Sequence, residues 1–123
     1  MEQIVSTESM ILWHKDYNLK GNANLDELPE EKAVFAICAL IDEQPVNCRY
    51  VNTTNNLRQS IKDLYQDVTN AGLRRFMTGP WIKKLIFHVE PGAAPEAMNN
   101  YREEWVRQYK PGVTDNGEYP GYY

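Results

Sequence analysis

Two segments decide the predicted fold of this chain: AVFAICALI at residues 33–41 and YVNTTNNLRQS at residues 50–60. The first is a nearly continuous apolar run without helical polar spacing, which predicts a strand covered on both faces. The second continues a strand at Arg49-Tyr50-Val51 and then enters a polar loop, 52–56, whose Thr and Asn side chains suit helix capping. A turn at Asp42–Pro45 joins the two strands, so we expect a hairpin that leads directly into a helix.

The remaining segments predict a small mixed domain. Apolar residues at three- and four-residue steps predict a helix that starts at Leu57 and stops at Asn70-Ala71-Gly72. A further helical turn is expected at 73–77, a third strand at 85–89, and a last helix beginning near Pro95. The predicted fold class is therefore α/β (α+β): one small domain with a three-stranded, mainly antiparallel sheet flanked by helices. The apolar positions used are Leu57, Ile61, Leu64 and Val68 in the first helix and Met98, Tyr101, Trp105 and Tyr109 in the last.

Composition limits the class of protein. The 123 residues match the size of one domain, and 17 acidic against 13 basic residues give a net charge of -4. Such a charge gives no general attraction to nucleic acid or anionic membranes. The apolar stretch Met10–Trp13 is too short to span a bilayer, and the acidic start lacks the positive region of a signal peptide. We expect a soluble, cytoplasmic protein without membrane insertion.

Cys38 and Cys48 fall within the predicted hairpin and lack the spacing of metal ligands. Reduced structural cysteines are the first interpretation and a metal site is the second. A cross-strand disulfide is also open, since its geometry does not follow from sequence. We expect no cofactor and no bound metal. His14 and His88 have no acidic or nucleophilic partner that the sequence identifies.

The hairpin, the helix start Asn56-Leu57-Arg58 and the ending Tyr109-Lys110-Pro111 resemble the GIY-YIG nuclease family. In that family the first strand carries Gly-Ile-Tyr, the second carries Tyr-Ile-Gly, and Asn-Leu opens a helix that presents a catalytic arginine. The order β-β-α-β-α that the patterns predict is also the order of that family, and the likeness covers a domain at 28–111. Residues 1–27 would be a lead-in packed on that domain, and residues 112–123 a Tyr- and Gly-rich tail. The polar stretch 22–31 has apolar anchors at Leu25 and Leu28. The connection from Phe35 to Tyr50 exceeds the family's, so the hairpin must be extended or bulged.

The resemblance also implies that the catalytic side chains are largely replaced. The first motif tyrosine corresponds to Phe35, the catalytic arginine to Ser60, and the metal-binding glutamate to Arg102. A phenyl ring cannot relay a proton, and a cation repels a divalent ion. A one-residue shift in the last helix would place Glu103 at the metal position, an alternative that the sequence leaves open. We call these positions the former cleft: Phe35, Tyr50, Thr53, Arg58, Ser60 and Arg102.

Two functional hypotheses follow. The first is a catalytically inactive GIY-YIG-like domain that acts as a protein-binding, assembly or regulatory module, not as an enzyme. The alternative is a nucleic-acid-binding protein or atypical endonuclease, using Arg58, Arg102 and a basic cluster of Arg74, Arg75, Lys83 and Lys84 around Trp81. Convergence of these cations on one exposed face would favour the alternative, whereas pairing with acidic neighbours would favour the first.

Each of these features also has a simpler interpretation. The basic cluster is typical of a solvated rim on either side of a buried tryptophan. The tail tyrosines suit docking on a surface, but a disordered end is equally open. Homo-oligomerisation through the last helix and the tail is a third possibility. The tail residues in question are Tyr119, Tyr122 and Tyr123.

Overall fold

A computed structural model describes residues 7–17, 23–41, 44–66, 71–79 and 81–109. These residues form an α+β structure with one four-stranded antiparallel sheet and three α-helices. Along the sheet the strands lie in the order β1-β4-β2-β3. In chain order the elements are β1 (Glu8–Leu12), a 3₁₀ turn (Leu25–Glu27), β2 (Ala33–Ile41), β3 (Gln44–Thr54), α1 (Leu57–Gln66), α2 (Ala71–Thr78), β4 (Ile82–Val89) and α3 (Pro95–Tyr109).

The prediction of a three-stranded sheet was wrong, because the sheet has a fourth strand, β1. β1 pairs antiparallel with β4 and forms an edge of the sheet, although its residues belong to the segment 1–27 that was assigned to a lead-in. Sequence patterning does not reveal this strand, because its five residues neither alternate cleanly nor form a long apolar run. They grade from exposed at Glu8 to buried at Leu12. No helix among the described residues is long and apolar enough to cross a bilayer.

β2 lies at the centre of the structure and is covered on both faces, as its apolar run predicted. Ala33, Phe35 and Ile37 pack toward α1, α2 and the 3₁₀ turn, on what we call the α1 face of the sheet. Val34 and Ala36 pack toward Trp105 of α3, on the α3 face. The predicted anchors of the lead-in are confirmed, since Leu25 and Leu28 are both buried in the core of the α1 face.

The hairpin is both extended and bulged. Ile37 pairs with Tyr50, but the next residue of β2, Cys38, pairs with Cys48, so Arg49 is an extra residue in β3. Such a bulge bends the strand and re-aims its side chains. As a result, both Arg49 and Tyr50 lie against the core of the α1 face, where the Arg49 guanidinium stands 5.5 Å from the centre of the Phe76 ring.

The start of α1 confirms the predicted capping loop. The Gln59 backbone N–H donates to Asn56 Oδ1 at 3.1 Å, and the Asn56 N–H donates to Thr54 Oγ1 at 3.0 Å. These bonds satisfy backbone donors that a helix start leaves unpaired. The Thr-Thr-Asn-Asn loop therefore fixes where α1 begins and how it leaves the sheet.

Lys83 corrects the expectation of a solvated basic rim. Its side chain is 3% exposed and lies in β4 on the α1 face, two residues before the buried Leu85. Its Nζ donates to the carbonyl oxygens of Trp81 at 2.7 Å and Gly79 at 3.1 Å. Burial lowers the pKa of Lys83 to about 8.

This burial predicts a pH-dependent stability. The folded state holds the Lys83 proton less tightly than the unfolded chain, so the free energy of unfolding should rise with pH above about 8, until the unfolded-state lysine titrates near 10.5. Relative to Lys83→Met, the wild type should gain about 2 kcal/mol between pH 8 and 9.5, measured by urea denaturation. Parallel pH profiles for wild type and Lys83→Met would contradict this assignment.

Candidate functional site

The former cleft lies partly on the α1 face, where its first position is filled by the core. Phe35 is 2% exposed, and its ring centre is 6.0 Å from that of Tyr50. The Tyr50 hydroxyl accepts a hydrogen bond from Asn52 Nδ2 at 2.7 Å. Phe35 therefore contributes buried apolar surface and has no group that transfers protons, while Tyr50 is held by its neighbour on the same strand.

Arg58 and Ser60 are both engaged in local contacts at the start of α1. Arg58 Nε donates to the backbone carbonyl of Leu28 at 2.8 Å, and its guanidinium lies 3.3 Å from the Glu30 carboxylate. Ser60 Oγ is hydrogen-bonded to Thr54 Oγ1. These interactions tie α1 to the segment before β2 and to the end of β3.

The other two positions of the former cleft lie across the sheet. Thr53 pairs with Val34, whose side chain packs on the α3 face, and strand alternation places Thr53 on that face too. Arg102 lies on α3, which packs against the same face. The structure therefore brings together Phe35, Tyr50, Arg58 and Ser60 at one side of the sheet, while Thr53 and Arg102 lie at the other.

The basic cluster is also divided. Arg74 and Arg75 are exposed on α2, which packs on the α1 face, whereas Lys84 pairs in register with Cys38 on the α3 face. Trp81 is half-buried and packs on the core, with its ring centre 6.0 Å from that of Phe76. With Lys83 buried, these cations do not form one exposed surface.

The tail tyrosines, Tyr119, Tyr122 and Tyr123, lie outside the described residues. Glu103, the alternative metal position, is exposed on α3. Within the described ranges, no three His, Cys, Asp or Glu side chains gather to hold a metal ion.

The two cysteines face each other across β2 and β3 on the α3 face. Cys38 and Cys48 are register partners, and both are free thiols. The hydrogen bond from the Cys48 thiol lowers the pKa of Cys38, and the same bond, together with burial, raises the pKa of Cys48. The neighbouring ammonium of Lys84 favours the Cys38 thiolate further.

Sequence reasoning missed a polar cluster at the end of β4. Glu90 Oε1 accepts a hydrogen bond from the Tyr101 hydroxyl at 2.8 Å and lies 3.1 Å from His88 Nε2. These two partners lower the pKa of Glu90, while the carboxylate raises the pKa of Tyr101. The i,i+2 spacing of His88 and Glu90 at a strand end is the signal that could have found this pair, since such side chains share a side. The cluster ties β4 to α3.

A groove opens on the α1 face beside β1, with a cavity volume of about 750 Å³. Its walls come from β1, β4, the 3₁₀ turn and the start of α1. The apolar lining includes Met10, Leu28 and Phe87. These residues are far apart in the sequence, so no local sequence pattern predicts that they line one groove. The volume falls within the range of small-ligand and side-chain pockets. The groove is therefore a candidate binding surface among the described residues, and Arg58 links it to the former cleft.

The groove is acidic. Glu8, Glu27 and Glu31 line it, and all three are exposed. Among the described residues that line the groove, Arg58 is the one cation, and its charge is already paired with Glu30. The rim thus presents an excess of negative charge, which disfavours phosphate groups and favours cationic ligands.

The outer edge of β1 runs along this groove and pairs with no other strand of the described chain. Asn24 covers one end of that edge: its Nδ2 donates to the Ile11 carbonyl at 2.7 Å, and its Oδ1 accepts the Trp13 N–H at 2.8 Å. Because backbone groups of an edge strand alternate between the two sides, Ser9 presents the next outward N–H and C=O. Asn24 therefore occupies the outward backbone groups near Trp13, whereas those of Ser9 lie beyond the reach of the Asn24 side chain.

Comparisons with protein-family models, with curated proteins and with solved structures found no match to this chain. The likeness to GIY-YIG nucleases therefore remains a prediction from the sequence.

The contacts of Arg58 predict a structural role. Arg58→Ala should lower the free energy of unfolding by about 2 kcal/mol, because it removes a charge-assisted hydrogen bond to the carbonyl of the fully buried Leu28. Lys62→Ala is the matched control, since Lys62 on the same helix pairs with the exposed Asp26 and should cost less than about 0.5 kcal/mol. Urea denaturation of both variants tests this. Equal losses would show that Arg58 contributes no more than a surface ion pair.

Proposed function

We propose that this protein is a catalytically inactive GIY-YIG-like domain that acts as a protein-binding, assembly or regulatory module. The observation that carries the proposal is the buried Phe35, which occupies the position where the resemblance puts a catalytic tyrosine. A proton-transferring hydroxyl is absent there, and the core packing leaves Phe35 out of contact with solvent. Such a group typically contributes a hundredfold or more to rate.

The state of the other positions supports the same proposal. Ser60 replaces the arginine that would stabilise a phosphorane, and its hydroxyl is engaged with Thr54. Arg58, two residues earlier and therefore about 200° around the helix, pairs with Glu30. Arg102 lies on the helix of the opposite sheet face. A two-residue shift along α1 cannot restore the charge stabiliser, so we expect no phosphodiester cleavage.

The distribution of charge argues against nucleic acid as the principal partner. The cations that the alternative function needs lie on both faces of the sheet, and one of them, Lys83, is buried. Binding to a phosphate backbone requires several cations that follow one path. The groove beside β1 carries the opposite charge, so a protein segment suits it better than a polyanion.

The test of this function is a cleavage and binding assay on the full chain. With Mg²⁺ or Mn²⁺ and labelled single- and double-stranded DNA and RNA, we expect no cleavage and no binding that weakens steeply with salt. Arg74→Ala/Arg75→Ala removes two exposed cations and serves as the comparison variant. Metal-dependent cleavage lost in Arg58→Ala, or salt-sensitive binding lost in the double variant, would overturn the proposal in favour of the nucleic-acid alternative.

The positive arm of the test is capture of partners from the cell extract in which the protein occurs, with and without nuclease treatment. We expect a stoichiometric protein partner that survives nuclease. Partners that disappear on nuclease treatment would contradict a protein-binding module.

A further inference from the structure

Resting on the proposed protein-binding function, we propose that the groove beside β1 binds an extended, basic peptide segment of a partner protein, which adds as a strand to the outer edge of β1. Three observations converge on this occupant: an edge strand with an outward backbone position, a cavity beside it that presents partly exposed apolar side chains, and an acidic rim. Each of them constrains a different property of the ligand.

The edge strand dictates an extended ligand. β1 pairs with β4 on one side. Along the described chain, Asn24 lies on the other side, where it donates to the Ile11 carbonyl and accepts from the N–H of Trp13, just after the strand. Ser9 comes next on that side, at the end of β1 away from Asn24. Main-chain hydrogen bonds from an added strand give affinity without demanding a particular side chain. A helix or a compact loop could not use this edge, because its own backbone groups are already paired.

The cavity dictates alternate apolar positions in that ligand. Side chains of an added strand point alternately to the two faces of the sheet, so every second residue would enter the groove on the α1 face. There they would meet Met10 and Val89, which are partly exposed apolar side chains of the lining. A volume of about 750 Å³ leaves room for more than one such side chain.

The rim dictates the charge. Glu8, Glu27 and Glu31 surround the groove, and the lining cation Arg58 is already paired with Glu30. Lysine or arginine side chains beside the apolar positions would therefore be attracted, and phosphate groups would be repelled. A second copy of this chain is a poorer occupant, because each copy brings the same acidic rim and a net charge of -4.

The experiment is selection of a random twelve-residue peptide display library on the full chain, followed by affinity measurement with the enriched peptides. We expect enriched sequences with lysine or arginine beside apolar residues at two-residue spacing. Enrichment of acidic peptides, of helical spacing, or of no common pattern would overturn the inference.

Charge-reversed variants locate the site. Glu8→Lys/Glu27→Lys should weaken binding of the enriched peptide at least tenfold. Glu96→Lys/Glu103→Lys makes the same change in net charge at exposed positions on α3 and should weaken it less than threefold. Equal losses of affinity in both variants would show that binding depends only on the net charge of the chain, and would overturn the inference. Circular dichroism and thermal melting confirm that both variants fold.

Two readouts test strand addition itself. Hydrogen exchange at the Ser9 amide should slow in the complex, and Ser9→Pro, which removes that outward donor at an edge where proline is tolerated, should weaken binding at least tenfold. Unchanged exchange at Ser9 together with unchanged affinity of Ser9→Pro would overturn the strand-addition geometry. Sedimentation of the free chain tests whether a second copy of the chain occupies the groove. A dimer that dissociates in Glu8→Lys/Glu27→Lys would assign the groove to that second copy and overturn the inference.

Failure of this inference is separable from failure of the proposed function. If Glu8→Lys/Glu27→Lys still captures the same nuclease-resistant partner from extract, the groove assignment is wrong and the protein-binding function stands. If the chain cleaves or binds nucleic acid, the proposed function is wrong whatever the peptide selection gives.

Discussion

The burial of β2 on both of its faces is the constraint on which the rest of the structure depends. Because successive residues of a strand point to opposite sides, one apolar run creates two separate cores, one around Phe35 and one around Val34. The first core holds α1, α2 and the 3₁₀ turn, and the second holds α3. Each described helix is thereby assigned to one face, and residues on different faces cannot meet through the sheet.

This separation decides which sequence-predicted sites can exist. Arg58 and Arg102 both belong to the positions suggested by family resemblance, yet their helices lie in different layers. The basic cluster is split in the same way between α2 and Lys84. In contrast, residues far apart in the chain meet in the groove, because β1 pairs with β4 and the 3₁₀ turn packs beside the start of α1. Residues can therefore form a common site when they lie on the same face of the sheet, whether or not they are close in the sequence.

Predictions from the sequence were correct where a local pattern is compatible with only one kind of structure. The apolar run of β2, the capping residues before α1 and the anchors Leu25 and Leu28 all have such patterns, and all were confirmed. The strand β1 was missed because a short edge strand buries few of its residues. The burial of Lys83 was missed because the predicted strand began at Leu85. Starting it at Ile82 places Lys83 in alternation with Leu85 and Phe87, on the buried face. The groove lacked any local signal, since its lining comes from four distant segments.

On the proposed function, the packing that fills the former cleft also makes the domain a suitable scaffold for binding. A catalytic cleft needs polar groups held apart and exposed to substrate, at a cost in stability, whereas Phe35 in that position adds apolar contacts to the core. Arg58, engaged with Leu28 and Glu30, fixes the wall of the groove instead of facing a phosphate. A rigid wall reduces the entropy lost when a flexible peptide binds, so each contact contributes more to affinity. On the proposed function, the tight packing of the α1 face therefore has two consequences. It leaves the former cleft without catalytic side chains, and it holds the wall of the adjacent groove in place.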